Sequence, residues 1–168
     1  MKTTMATVSE DKWKEAFEAV KSQFELMELL SEQQEAIKAF FEEKDVFVNL
    51  PTGFGKSLIF QSLPIVVDIV HDKPHGSSVI VSSNFTFAIS DGGPSALFEH
   101  ICIPAIAITD VEDPENIQQV LNGNFLVVFG SPECLLSTAI WRGIFKCESF
   151  TKKLIGVAID EAHCIIQW

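Results

Sequence analysis

The chain has 168 residues, 47% of them hydrophobic and 21% charged, with a formal net charge of −11. That is enough for one domain with a real core and too apolar for a disordered chain. The acidic balance argues against a generic nucleic-acid coat protein, whose footprint is basic.

No apolar run reaches the length that crosses a bilayer, and Met1–Ala6 lacks the apolar core of a secretory signal. The expectation is an intracellular, soluble protein, nuclear if eukaryotic, with no membrane partner. Cys102, Cys134, Cys147 and Cys164 form no C-x-x-C pair, so the bland reading is small buried hydrophobes rather than zinc ligands.

Residues 1–9 are polar. From Asp11 a helix is predicted, with Trp13, Phe17, Val20, Phe24 and Met27 on one face and Lys12, Lys14, Glu15 and Glu18 on the other. Residues 1–22 read as an amphipathic extension packed on a domain over 23–168. Ser31 resembles an N-cap with Gln34 as its capping-box partner. The helix Glu32–Glu43 then turns Ala36, Ile37, Phe40 and Phe41 inward. After Lys44-Asp45, the apolar run Val46–Leu50 predicts a strand buried on both faces, as in a parallel sheet.

The next stretch, Leu50-Pro51-Thr52-Gly53-Phe54-Gly55-Lys56-Ser57, joins that strand to a helix over Lys56 to about Val70. A strand, a glycine-bearing loop and a helix N-terminus aim backbone N–H groups at one spot, which suits an anion. Gly-Lys-Ser ends the phosphate-loop signature. Lys56 would reach the terminal phosphates, Ser57 would place its hydroxyl on magnesium, and the two glycines would let the backbone fold tightly. The general signature has glycine where this chain has Leu50.

His71–Gly76 is a break, with His71 and His75 read as surface loop residues rather than metal ligands. Ser78–Ser82 is a strand. Ser83–Pro94 mixes alternation with a Gly-Gly-Pro breaker, and Ser95–His100 suggests a short helix. Pro104 precedes a strand over Ala105–Thr109. Asp113-Pro114 starts a helix with Ile117, Val120 and Leu121 on its buried side, and Asn122-Gly123 ends it. Phe125–Phe129 is a strand, and Gly130-Ser131-Pro132-Glu133 leads into a helix to about Phe145. Leu154–Ile159 is a strand that runs into Asp160-Glu161-Ala162-His163.

Strands alternate with helices throughout, which predicts a single α/β domain with a parallel sheet and helices on both faces. Ligands then bind at the carboxyl ends of the strands, after Leu50 and after Ile159. Magnesium takes one or two carboxylates plus phosphates and waters. Asp160 would hold the ion, and Glu161 would orient and deprotonate the water that attacks a γ-phosphate.

Asp160-Glu161-Ala162-His163 together with Pro51–Ser57 resembles the paired ATPase motifs of superfamily 2 helicases. Their loop, A-x-T-G-x-G-K followed by S or T, requires no early glycine and accounts for Leu50. The longer tail, Asp160 to Trp168, is similar to the D-E-A-H-C-I-x-x-W of RecQ-like DNA helicases. The resemblance implies a RecA-like fold that binds ATP and Mg2+. It implies cofactor contacts at Gln33, Pro51, Thr52, Gly53, Phe54, Gly55, Lys56, Ser57 and His163. Gln33 stands at the spacing of the family's adenine-reading glutamine, whose amide both donates and accepts. His163 would report nucleotide state to a neighbouring lobe, and Ser131-Pro132-Glu133 is similar to a segment that touches the nucleic-acid backbone.

Two features depart from that pattern. Ser82–Gly93 differs from the S-P-L-x-x-L-M-x-D-Q turn that contacts DNA. Leu26 and Leu30 stand where an aromatic and an arginine flank the glutamine. The sequence given ends at Trp168, before the coupling motif and second lobe with its arginine finger that the family carries. The expectation is the first lobe of an ATP-dependent 3′-to-5′ DNA helicase, a fragment or a truncated relative. By itself it would bind DNA weakly and hydrolyse little ATP, with the second lobe as its partner and DNA repair and recombination as the implied processes. The alternative is a degenerate lobe that acts as a non-catalytic nucleotide- or protein-binding module through the Trp13–Met27 helix and the altered turn. A self-sufficient NTPase of another class is a third reading, and Arg142 is the only arginine it would have.

Overall fold

The computed structural model describes residues 8–42, 44–71, 77–81, 103–108 and 113–161. The chain divides into two compact units, Met1–Pro74 and His75–Trp168.

Unit 1 is helical. Helix α1, Glu10–Gln23, opens on Ser9, whose hydroxyl accepts from Lys12 N–H, and buries Trp13, Ala16, Phe17 and Val20. The predicted stripe extends too far. Glu25 takes a left-handed backbone at φ 53°, which breaks the helical phase, and Met27 is 95% exposed. Helix α2, Ser31–Phe41, starts one residue earlier than expected. Leu30 is its N-cap, and Gln33, not Gln34, reaches back to the cap N–H. Ser31 is already helical and donates its hydroxyl to the Glu32 carboxylate instead.

Helix α3, Lys56–His71, packs against both α1 and α2. It buries Ile59, Leu63, Val66 and Val70, which are spaced at three and four residues. Trp13 meets Phe41 edge-on at 5.2 Å between centroids, and His71 stacks on Phe41 at 5.7 Å. His71, expected in a loop, is thus the last residue of a helix.

The strand expected over Val46–Leu50 is not formed. Val46 is 37% and Phe47 80% exposed, and neither pairs with another strand among the described residues. An apolar run becomes a strand only where a neighbour takes its N–H and C=O groups. The described part of unit 1 contains no strand.

Unit 2 carries the parallel sheet that the sequence predicts. Its strands are β1 (Ser77–Val81), β2 (Ala105–Ala107), β3 (Val127–Gly130) and β4 (Leu154–Ile159), in the order β2-β3-β1-β4. All pairings are parallel. Every residue of β3 is buried, as a strand without polar alternation requires. Helix α4, Pro114–Leu121, starts on the expected Asp113 cap and ends before Gly123, whose φ is 70°.

One long helix to Phe145 was expected after Ser131, but the structure has two. Helix α5 is Pro132–Ser137 and helix α6 is Ala139–Ile144, with Thr138 extended between them. Leu135 and Ile144 lie nine residues apart, about half a turn out of phase on a continuous helix. Both enter one core with Ile108, Val120, Trp141 and Phe150. The break at Thr138 re-aims the second helix so that both can. Helix α7, Glu148–Thr151, leads into β4.

Among the described residues no helix is long and apolar enough to cross a membrane. The stretch Ser82–Pro94, the short helix expected over Ser95–His100, and Cys102, His75, His163 and Cys164 lie outside the described residues.

Candidate functional site

Pro51–Ser57 forms a turn that opens directly into α3 at Lys56. Gly53 and Gly55 have φ of 87° and 65°, conformations open to glycine at little cost. The turn is closed by Phe54 N–H on Pro51 O at 3.3 Å, and the first helical turn by Leu58 N–H on Gly55 O at 3.1 Å. Pro51, Thr52, Gly53, Phe54, Gly55 and Ser57 are all exposed, so the loop is reachable from solvent. Lys56 bends back over it, and its ammonium donates to Leu50 O at 2.9 Å and Pro51 O at 3.3 Å.

Gln33 is brought to the same loop from α2. Its side chain is 5% exposed. Its Nε2 donates to Phe54 O at 3.1 Å and to Gly55 O at 3.2 Å. The family resemblance implies Gln33 as an adenine reader by its spacing upstream of the loop, whereas its contacts in the structure are with the loop backbone. The one sequence signal for it was a glutamine at the third position of a helix. A cleft of 460 Å³ in unit 1 lies elsewhere, between α1 and α2 over Trp13, Phe17 and Leu29, and includes none of these residues.

In unit 2 the register sets a second group of residues side by side. Val81 at the end of β1 pairs with Gly130 of β3 and Ile159 of β4. Ser131-Pro132-Glu133 and Asp160-Glu161 therefore leave the sheet at one carboxyl edge. Asp160 and Glu161 are half-buried. Glu161 adopts φ 53°, and its N–H donates to Asp160 Oδ1 at 3.0 Å. A left-handed glutamate is unusual, and such backbones gather where a side chain must be aimed. Ser131 caps α5, its hydroxyl accepting from Cys134 N–H at 3.1 Å. Among the described residues no three His, Cys, Asp or Glu side chains cluster as a metal cage.

Chemically, unit 1 offers an exposed, glycine-bearing loop with one lysine, and unit 2 offers a carboxylate pair on a strand end. Residues 31–168 match the family described as DEAD/DEAH box helicase. The chain is 31% identical over 147 residues to the ATP-dependent helicase SGS1 of Saccharomyces cerevisiae, covering 86% of this chain and 10% of that protein. It is 29% identical over 164 residues to the ATP-dependent DNA helicase hus2/rqh1 of Schizosaccharomyces pombe, covering 92% and 12%. It is 31% identical over 139 residues to the ATP-dependent DNA helicase RecQ of Synechocystis, covering 81% and 27%. The chain thus spans between 10% and 27% of the length of these three relatives.

Proposed function

The chain belongs to the DEAD/DEAH box helicase family, with RecQ-family helicases among its relatives, and on that premise we propose that it is the RecA-like ATP-binding lobe of an ATP-dependent 3′-to-5′ DNA helicase. The observation that carries this reading is the turn itself: two left-handed glycines delivering an exposed loop into the first turn of α3 at Lys56. In this reading the loop N–H groups and the helix N-terminus hold the phosphates. Lys56 exchanges the carbonyls of Leu50 and Pro51 for phosphate oxygens.

Ser57 in unit 1 and Asp160 in unit 2 each carry a hard oxygen donor, the kind that suits magnesium better than the softer metals. Magnesium, when bound, neutralises charge on the phosphates. Glu161 accepts the proton of the attacking water. Gln33 faces the adenine, and His163 relays nucleotide state toward a second lobe. Ser131-Pro132-Glu133 lies at the same strand edge as Asp160 and supplies the DNA backbone contact. Strand unwinding, DNA and the second lobe belong to the whole protein in this reading.

Titration calorimetry of the folded chain with magnesium-ATP tests it. Binding is expected, with a rise in melting temperature, because a ligand of the native state must stabilise it. Lys56→Ala is expected to remove both effects. A folded chain that binds no ATP would sink the reading. Binding indifferent to Lys56→Ala would move the site away from the loop.

A further inference from the structure

We propose that the outer face of α6 docks an acidic protein segment that carries an apolar anchor. The charge of unit 2 is unevenly spread. Its Lys and Arg residues are Arg142, Lys146, Lys152 and Lys153, all within twelve residues of sequence, and Glu148 is the one acidic residue among them. The crossover from β3 to β4 leaves the sheet at its carboxyl edge after Gly130 and must return to the amino edge to enter β4 at Leu154. The cations lie on the returning half, at the opposite end of unit 2 from Asp160 and Glu161.

Two of the four are already engaged. Lys152 pairs with Glu148 at 2.7 Å, and Lys153 donates to Asn122 O. Arg142 and Lys146 are exposed and have no ion pair among the described residues. They stand four residues apart, and Lys146 N–H donates to Gly143 O at 3.0 Å, which carries the helical turn on to it. Their side chains therefore leave α6 on one side.

Gly143 lies beside them, and nothing in the fold requires a glycine there. It is inside α6, it has no left-handed φ, and the cap is Phe145 instead. A Cβ placed on it would meet no described atom within 4 Å. Glycine weakens a helix relative to alanine, so the position runs against local stability. What the glycine provides is room. Ala139 and Gly143, four residues apart and both exposed, form a shallow saddle where another backbone can come close. Arg142 and Lys146 border the saddle on one side and the exposed Ile140 on the other.

This chemistry fits an acidic protein segment better than a nucleic acid. Two free cations neutralise too few phosphates for firm binding by a chain of net charge −11. No ring stands out from α6 to stack a base, since Trp141 is buried in the core and Phe145 half-buried against it. A segment with carboxylates meets both cations and lays an apolar side chain against Ile140.

The test is selection of a random peptide library displayed on phage against the 168-residue chain, followed by titration of the enriched peptides as synthetic products. Acidic peptides with an apolar residue are expected to be enriched. Their affinity is expected to fall about tenfold for the double variant Arg142→Glu with Lys146→Glu, the scale of two exposed ion pairs. Arg142→Gln with Lys146→Gln carries the test if the reversal disturbs folding. Gly143→Ala is expected to separate two readouts that a purely structural role would move together. The melting temperature should rise by about 2 °C, because alanine is the better helix former. Peptide affinity should fall by about tenfold, because the methyl closes the saddle.

Enriched peptides that are basic or uncharged would overturn the proposal, as would acidic ones that bind the charge variants or Gly143→Ala as well as the parent. Single-stranded oligothymidylate that binds the parent and is lost in the charge variants, with no acidic peptide enriched, would overturn it in favour of a nucleic-acid contact.

Discussion

Two cysteines show how neighbouring atoms set a residue's chemistry. Cys134 is 2% exposed in the unit 2 core, whereas Cys147 is half-buried just before α7. The Ser149 hydroxyl lies 3.1 Å from Cys147 Sγ, and with the N–H groups of Phe150 and Ser149 it holds the thiol below its ordinary value. A lowered thiol carries more thiolate at neutral pH, and the thiolate is the nucleophile. Peptide mass mapping after brief maleimide treatment at pH 7 is therefore expected to find Cys147 labelled well ahead of Cys134. Ser149→Ala is expected to slow that labelling several-fold. Equal rates with and without Ser149 would show that the hydroxyl does not set the reactivity. At Glu161 the same scale sets the backbone: φ is 53°, a left-handed conformation that costs a non-glycine residue about 1–2 kcal/mol.

Among elements, α4 shows how a helix is closed at both ends. Asp113 Oδ1 accepts from Glu115 N–H at 3.0 Å at its start. At its end Lys153 donates to Asn122 O, placing a cation where the helix carbonyls point. Gly123 lies beneath that lysine with φ of 70°, and a Cβ there would stand 2.7 Å from Lys153 Cδ. Gly123→Ala is expected to lower stability by about 1–2 kcal/mol from the left-handed backbone alone. Lys153→Met is expected to cost less, and the double variant less than the sum, since both changes displace the same side chain. Urea midpoints of the four proteins give the answer, and strict additivity would mean the two residues do not share the contact. The break between α5 and α6 belongs here as well. It exists because Leu135 and Ile144 cannot face one core from a single straight helix.

Over the whole molecule, charge decides what the chain can hold alone. The formal charge is −11, and twelve Lys and Arg stand against twenty-three Asp and Glu, counted in one sequence. Nucleic-acid affinity is carried mainly by cations that displace counterions from phosphates. Fluorescence anisotropy with single-stranded DNA is expected to give a dissociation constant at or above the non-specific range of roughly 10⁻⁶ to 10⁻⁴ M near physiological salt. Nanomolar binding by this chain would contradict that, and would point to a DNA surface that its overall charge conceals.

Much of the molecule was legible along the chain because the signals are local. Asp113-Pro114 and Asn122-Gly123 bracket α4, and Leu154–Ile159 runs into Asp160-Glu161, as read. Gly53 and Gly55 mark the turn before Lys56 because the left-handed region is closed to most side chains. Each of these depends on residues within about four positions, where backbone sterics and side-chain caps act. Strand formation at Val46–Leu50, the strand order β2-β3-β1-β4 and the break at Thr138 depend on partners far away in sequence. Composition can show that a run is fit for a sheet, but not that another strand will take its hydrogen bonds. The same holds at the loop. The glycines and the lysine of the loop are written in Thr52–Ser57, whereas the amide that bonds to two of its carbonyls comes from Gln33, through contacts that exist only once α2 and the loop are folded together.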